Sequence, residues 1–326
     1  MNKNKINIIS FNIPYPANYG GVIDVFHKIK TLHNYGYEVV LHCFQYRRQP
    51  QPELEKYCSK IYYYKRKKGF QHLFSPLPYI VATRKNKQLL ENIKANNYPI
   101  LFEGVHTCFY VNHPDLANRK KMIRMHNIEH QYYKELAKAT TDIFKKLFFY
   151  LESKKLKKYE RILSNDFSII AISKNDYNYF IDQHSDVKYI PAFHPLEEVI
   201  SKPGKGYYFL YHGNLAVEEN EKAVLFLIEK VFGNTKDQLI IAGKSPTNRI
   251  LQKVQQYNNI KLEANPTEKA MNTLIINAHC CVLPTFQATG LKLKLLVSLF
   301  LGRHLIVNPE MVENTGLETL CQVANN

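Results

Sequence analysis

The chain has 326 residues, with 44 lysines and arginines against 28 acids, a formal net charge of +16 and 45% hydrophobic content. These proportions exclude a disordered chain and allow two domains, each with its own core. The charge calls for an anionic partner. With no zinc-finger spacing and no arginine-rich arm, a phosphorylated small molecule or an anionic membrane surface fits that partner better than nucleic acid.

In chain order, Lys5–Phe11 reads as a strand, Asn12–Gly21 as a turn-rich loop and Val22–Tyr35 as a helix. Strands follow at Glu38–Phe44, Lys60–Tyr64, Pro99–Glu103, Lys121–Met125 and Phe167–Ile172, with a helix at Asn86–Asn97. Strands alternating with helical patterns predict a parallel, doubly wound α/β sheet with helices on both faces. The stretch Glu129–Asn165 predicts a helix pair, since Phe144, Leu147, Phe148, Leu151, Tyr159 and Ile162 recur at near-helical spacing among many lysines. Its apolar side faces either the core or, as part of a basic amphipathic surface, anionic lipid.

Prolines and glycines in Pro191 to Pro195 and Ser201 to Gly206 interrupt periodic structure. They predict a first domain over 1–191, a linker over 192–205 and a second domain over 206–326. The second series has strands at Tyr208–Tyr211, Leu239–Ala242, Ile260–Glu263, Cys280–Leu283 and Leu305–Val307. Six cysteines without a C-x-x-C pair read as buried reduced thiols. No apolar run reaches the roughly 18–20 residues of a membrane span, and Met1 to Ser10 is too polar for a signal peptide, so a cytoplasmic protein is expected.

Parallel sheets present ligands at the carboxyl ends of their strands. Gly20-Gly21, after the first strand, lets backbone approach a ligand closely, although an ordinary strand-to-helix turn would use the same residues. Glu103 and His106 follow the fourth strand, and Arg124, His126, Asn127 and Glu129 follow the fifth, so both sets emerge at one sheet edge. Imidazole and carboxylate there can orient a hydroxyl and share its proton. Equally, Asn127 can serve as the N-cap of the following helix, with Glu129 near its positive end. In the second domain a loop of small residues ending at Gly290 precedes a helix that opens on Lys292 and Lys294, an arrangement able to hold an anion. The G-x-S-x-G elbow, the P-loop and G-x-G-x-x-G are absent. No Asp-x-Asp pair occurs, so no metal site is expected.

The run Gly290-Leu-Lys-Leu-Lys294, preceded by His212-Gly-Asn-Leu215 and Ala242-Gly-Lys244, resembles in order and spacing the donor-binding segments of group-1 (family 4-like) nucleotide-sugar glycosyltransferases. The resemblance implies the GT-B fold, two Rossmann-like domains facing across a cleft, with a C-terminal crossover helix missing or shortened here. It implies a retaining, metal-independent transfer from a nucleotide-diphosphate sugar, with no further cofactor, to a saccharide or lipid-linked acceptor in polysaccharide or glycoconjugate synthesis. The enzyme would work in the cytoplasm, at the inner face of the membrane. Gly20, Gly21, Gly213, Asn214, Lys222, Gly243, Lys244, Gly290, Lys292 and Lys294 would then lie on the donor side. His106 and Glu129 are the catalytic candidates, and Glu103, Arg124, His126 and Asn127 would line the acceptor side.

One departure stands out. Where many relatives carry a glutamate that bonds the nucleotide ribose, this chain has Val297, and Thr285 to Thr289 contains no carboxylate. Losing one charged hydrogen bond costs about 1.5–3 kcal/mol, which lowers affinity without abolishing it. The departure also leaves a second expectation open, a non-catalytic sugar- or nucleotide-binding partner of an active transferase.

Overall fold

The computed structural model describes residues 4–17, 19–140, 142–163, 167–286, 292–313 and 315–325. The chain divides into two compact units, Met1–Pro195 and Leu196–Asn326.

The first unit is built on β1 (Lys5–Ser10), β2 (Glu38–Gln45), β3 (Lys60–Lys65), β4 (Ile100–Glu103), β5 (Lys121–Met125), β6 (Ser168–Ala171) and β7 (Val187–Tyr189). Its helices are α1 (Gly20–Asn34), α2 (Tyr79–Ala82), α3 (Lys87–Lys94), α4 (Glu129–Ala139), α5 (Ile143–Ile162) and α6 (Lys174–Ile181). The seven strands run in the order β3-β2-β1-β4-β5-β6-β7, every pair parallel. Apolar clusters cover both faces, one around Phe44, Phe102 and Phe180 and the other around Ile8, Val25, Ile29 and Leu41. A parallel sheet needs this double cover, because each strand is buried on both sides.

The second unit repeats the plan with β8 (Phe209–Asn214), β9 (Leu239–Lys244), β10 (Ile260–Ala264), β11 (Cys280–Val282), β12 (Leu305–Val307) and β13 (Gln322–Val323). Its helices are α7 (Glu218–Phe226), which continues as a π-helical turn over Leu227–Phe232, α8 (Asn248–Val254), α9 (Glu268–Asn277), α10 (Leu293–Leu301) and α11 (Pro309–Val312). The sheet order is β10-β9-β8-β11-β12-β13, again all parallel. Both sheets reverse strand order beside their first strand, at β1/β4 and at β8/β11. A crevice opens at such a point, at the carboxyl ends of the strands.

Several boundaries differ from the sequence reading. Gly20 and Gly21 form the first turn of α1 instead of a loop, and β8 and β9 run on through Asn214 and Lys244. Strand β7 is only three residues long and mostly exposed, and the sequence reading does not assign it. Ile128, not Asn127, is the N-cap of α4, and it makes no side-chain cap bond.

The larger correction concerns α5. Its buried side holds Glu152, Ser153, Leu156 and Glu160, while Ile143, Phe144, Leu147, Leu151 and Ile162 are exposed. Hydrogen bonding explains the inversion. Glu152 accepts the Tyr79 N–H at 2.5 Å, and Glu160 accepts the His130 N–H at 3.2 Å and meets its Nδ1 at 2.5 Å. Ser153 donates to the His130 carbonyl at 2.7 Å. Of the two alternatives for the apolar side, the core-facing one fails for Phe144, Leu147, Leu151 and Ile162, while Phe148 and Tyr159 are half-buried.

Candidate functional site

At the carboxyl edge of the first sheet a buried ionic network joins α1 to β4 and β5. Asp24, one turn into α1, accepts both nitrogens of the Arg124 fork, at 2.7 and 2.9 Å, together with Lys28 Nζ at 3.0 Å and the Phe193 N–H at 2.8 Å. Glu103 meets Lys28 Nζ at 2.8 Å and His126 Nε2 at 3.0 Å. Burial pushes the Asp24 carboxyl up, but Lys28 and Arg124 outweigh it and hold the group well below the ordinary range. Glu103 is lowered likewise, its burial outweighed by Lys28 and His126. Asp24, Glu103 and His126 lie close enough to ligate a cation, yet the Lys28 ammonium already bridges the two carboxylates. Arg124 is 1% exposed and also donates to the Ile190 and Pro191 carbonyls. Arg124 and Glu103 are therefore engaged in holding the edge together.

His106 lies in the helical turn just after β4, its ring 5.4 Å from that of Phe11, and its buried Nδ1 has no hydrogen-bond partner among the described residues. Burial lowers its pKa well below the ordinary value, and Arg84, His126 and Arg66 lower it further, so the imidazole is neutral. Phe11 is also 5.4 Å from the His126 ring, edge-on. A Cβ on Gly21 would fall 2.7 Å from the tip of the Phe11 ring, so this glycine admits the ring that separates α1 from the two histidines. Glu129, the first residue of α4, is buried. Burial and then the Glu160 carboxylate push its pKa up to about 8, against a hydrogen bond from the Asn127 side chain. Asp176 nearby is pushed up to about 7, chiefly by burial.

At the carboxyl edge of the second sheet, Gly213 and Gly243 pack backbone to backbone, and a Cβ on Gly243 would fall 1.9 Å from the Gly213 carbonyl oxygen. No other residue type fits there without moving β8 from β9. His212 Nε2 pairs with Ser298 Oγ on α10 at 2.8 Å, and burial drops its pKa to about 3. Lys294, in the first turn of α10, donates to the Tyr211 hydroxyl at 3.1 Å and Asn220 Oδ1 at 2.9 Å, and lies 4.8 Å from the Tyr211 ring centre. Burial lowers Lys294 to about 8; Glu219 opposes this and Lys292 adds to it. Lys292 is the N-cap of α10 and pairs with Glu219 Oε1 at 3.1 Å. Thr285 Oγ1 donates to the same carboxylate.

The structure thus gathers Gly213, Gly243, Lys292 and Lys294 around the end of β8 and the start of α10. Asn214 and Lys244 face each other at the ends of β8 and β9, both exposed, and the Asn214 carbonyl accepts from Asn220 Nδ2 at 2.8 Å. Lys222 instead lies 4.6 Å from the Phe286 ring centre, and Gly290 lies outside the described residues. Val297 packs against the apolar core of the unit. Sequence reasoning missed Glu219, which supplies a carboxylate to this neighbourhood from α7, and Tyr211, which orients Lys294.

No protein-family model matches the chain. A curated relative, described as an uncharacterized 44.6 kDa protein in the cps region of Klebsiella pneumoniae, is 26% identical over 317 residues, covering 89% of this chain and 79% of its own length. Among solved structures, an Anabaena protein, HepE, in complex with UDP and glucose superposes with a TM-score of 0.60 at 11% identity, covering 94% of this chain and 80% of that one. The lipopolysaccharide outer core galactosyltransferase WaaB, in its apo form, gives 0.59 at 14% identity with the same coverages, 94% and 80%. TarM gives 0.58 at 10% identity, covering 93% and 84%. At these identities the likeness shows the fold, and that fold is the two-domain α/β GT-B type.

The buried acids of the first unit make stability depend on pH. Glu129 and Asp176 bind their protons more tightly folded than unfolded, so their contribution is complete below an unfolded pKa near 4–4.5 and is lost as pH rises through about 7–8. The melting temperature should fall across that window. Glu129→Gln with Asp176→Asn should flatten the fall, and a profile with the same slope in the double variant would show that these acids do not cause it.

Proposed function

We propose that the protein is a glycosyltransferase that moves a sugar from a nucleotide-diphosphate donor to an acceptor hydroxyl. The observation that carries the reading is Lys294 and Lys292 at the N-terminus of α10, beside the carboxyl edge of β8. When the glycosidic carbon leaves the donor, negative charge develops on the diphosphate. Preorganised cations and helix N–H groups stabilise it at little reorganisation cost. Tyr211 and Asn220 hold the Lys294 ammonium in place before substrate arrives. Gly213 keeps the strand end free of side chain, and Glu219 carries a carboxylate that offers the nucleotide an acceptor in place of the one absent at Val297.

On the acceptor side, neutral His106 is able to accept a proton from a hydroxyl, and protonated Glu129 is the second catalytic candidate. The Glu103–His126 pair and Arg124 hold that edge in register. We read the transfer as retaining, without a metal ion or a protein nucleophile, and as a step in polysaccharide or glycoconjugate synthesis. The Klebsiella relative from a cps region supports that setting.

Lys294→Ala should lower turnover at least about tenfold with the fold intact. In the unaltered protein, UDP affinity should weaken as pH rises through about 8, where the free ammonium loses its proton. Lys294→Arg, charged throughout, should abolish that fall. Unchanged kinetics in Lys294→Ala would remove the residue from the site, and absence of UDP binding by calorimetry would remove the reading.

Transfer activity should survive exhaustive dialysis against EDTA, since the charge otherwise carried by a metal is here carried by lysines. Complete loss, restored by Mn²⁺, would contradict it.

No helix among the described residues is long and apolar enough to cross a membrane. The exposed face of α5 offers another kind of contact. Phe144 is 86% exposed and Ile143 and Leu147 are also exposed, with Lys145, Lys146, Lys154, Lys157 and Lys158 along the same helix. Such a face suits peripheral attachment to anionic lipid at the inner face of the membrane. The protein should co-sediment with vesicles containing phosphatidylglycerol, and Phe144→Ser with Leu147→Ser should release it. Equal recovery with neutral vesicles would discount the basic face.

A further inference from the structure

A second group of cations occupies the first unit, apart from the Asp24 network. Arg66 follows β3 directly, and its Nε donates to Thr83 Oγ1 at 3.0 Å. Its guanidinium lies 4.7 Å from the Tyr46 ring centre and 5.7 Å from that of Tyr79. Tyr46 follows β2 and carries two further cations around the same ring, Arg47 at 5.4 Å and Lys68 at 5.3 Å. Next to Thr83, Arg84 is only 3% exposed and donates to the carbonyl oxygens of Phe11 and Ile80.

These side chains and His106 come from the ends of β3, β2 and β4 and from the turn after α2, with Phe11 at the end of β1. They therefore share the carboxyl edge beside the β1/β4 reversal. Among the described residues no carboxylate lies within ion-pair distance of Arg47, Arg66, Lys68 or Arg84. Burial, and then the neighbouring Arg66, lower Arg84 to about 9. Glu129, the carboxyl group that acts on Arg84, is itself protonated at neutral pH.

Gathering like charges with no counter-charge is costly unless something anionic completes the set. Planar guanidinium forks match the oxygens of a phosphate, and aromatic rings hold the forks in place. We infer that this cluster is a phosphate-binding subsite and that the acceptor of the proposed transfer bears a phosphate. The assignment rests on the glycosyl-transfer reading for the word acceptor, but not for the site itself. Tyr79 extends the argument, because its ring meets Phe148 of α5 at 6.1 Å, and Lys155 of α5 donates to the Leu73 carbonyl at 2.8 Å. Phe70 and Phe74, in the same short helical turn as Leu73, are both strongly exposed. A phosphate in the cluster thus stands one ring away from an exposed apolar surface.

The test is calorimetric titration of the full chain with glucose 1-phosphate, farnesyl phosphate and glucose. Glucose 1-phosphate should bind with an affinity that falls as salt is raised, and glucose should not compete. Arg66→Gln with Lys68→Gln should weaken the phosphate probes at least about tenfold, while Arg66→Lys retains part of the binding. Tighter binding of farnesyl phosphate assigns a lipid carrier, and equal binding assigns a soluble sugar phosphate. UDP titrated in parallel should be affected by Lys294→Ala and not by Arg66→Gln. Equal binding of glucose, or phosphate binding indifferent to the Arg66 and Lys68 changes in a normally melting variant, would overturn the inference. Loss of UDP binding with the Arg66 dependence retained would overturn the transferase reading and leave the phosphate site standing.

Discussion

The Asp24 carboxylate is the constraint on which the first unit's site depends. It reaches from α1 to the Arg124 fork on β5, to Lys28 on its own helix and to the Phe193 N–H beyond β7. One anion thereby fixes the entry angle of a helix, the end of a strand and the path of the chain as it leaves the sheet. Buried charges tolerate this only when nearly every lone pair is used. Removing either partner leaves the other uncompensated, which costs far more than the intact pair contributes.

The two units solve the problem of buried cations differently. In the second, Lys294 has a hydroxyl, an amide oxygen and an aromatic face, with Glu219 near enough to keep it from losing its proton at neutral pH. In the first, Arg84 rests on carbonyl oxygens and faces other cations. Under the proposed transfer, a helix N-terminus whose lysine is held by a hydroxyl and an amide oxygen is poised to take charge that appears during the reaction. A crowd of guanidinium groups attracts charge that a ligand already bears. The contrast between transient and permanent negative charge is what separates a leaving-group site from a recognition site.

The sheets were the most legible part of the sequence because buried parallel strands are short apolar runs punctuated by turns, and β1, β5 and β12 fall within a residue of their expected bounds. Capping was less legible: Asn86, read as the first residue of its helix, caps it by accepting the Leu89 N–H at 3.2 Å, whereas Asn127, read as the N-cap of α4, is not one. The gathering of lysines at α10 was visible because both lie within three residues of each other. Contacts across the fold were not. Thr285 and Glu219 are 66 positions apart and Arg124 and Asp24 are 100 apart, and nothing local marks either pair. The inverted face of α5 shows a further limit. Its buried glutamates answer backbone N–H groups of α2 and α4, a demand that exists only once those elements are in place.

All six cysteines are free, and each thiol is held above its ordinary pKa, mainly by burial: Cys58 and Cys281 to about 12, Cys280 to about 11, and Cys43, Cys108 and Cys321 upward as well. A thiol without thiolate is a poor nucleophile. The chain is therefore a quiet background for chemical labelling. One cysteine introduced on the exposed surface of each unit would react with maleimide spin labels or fluorophores well ahead of the native six. The separation of the two units could then be measured in solution with and without UDP, without first stripping the protein of its own sulfur.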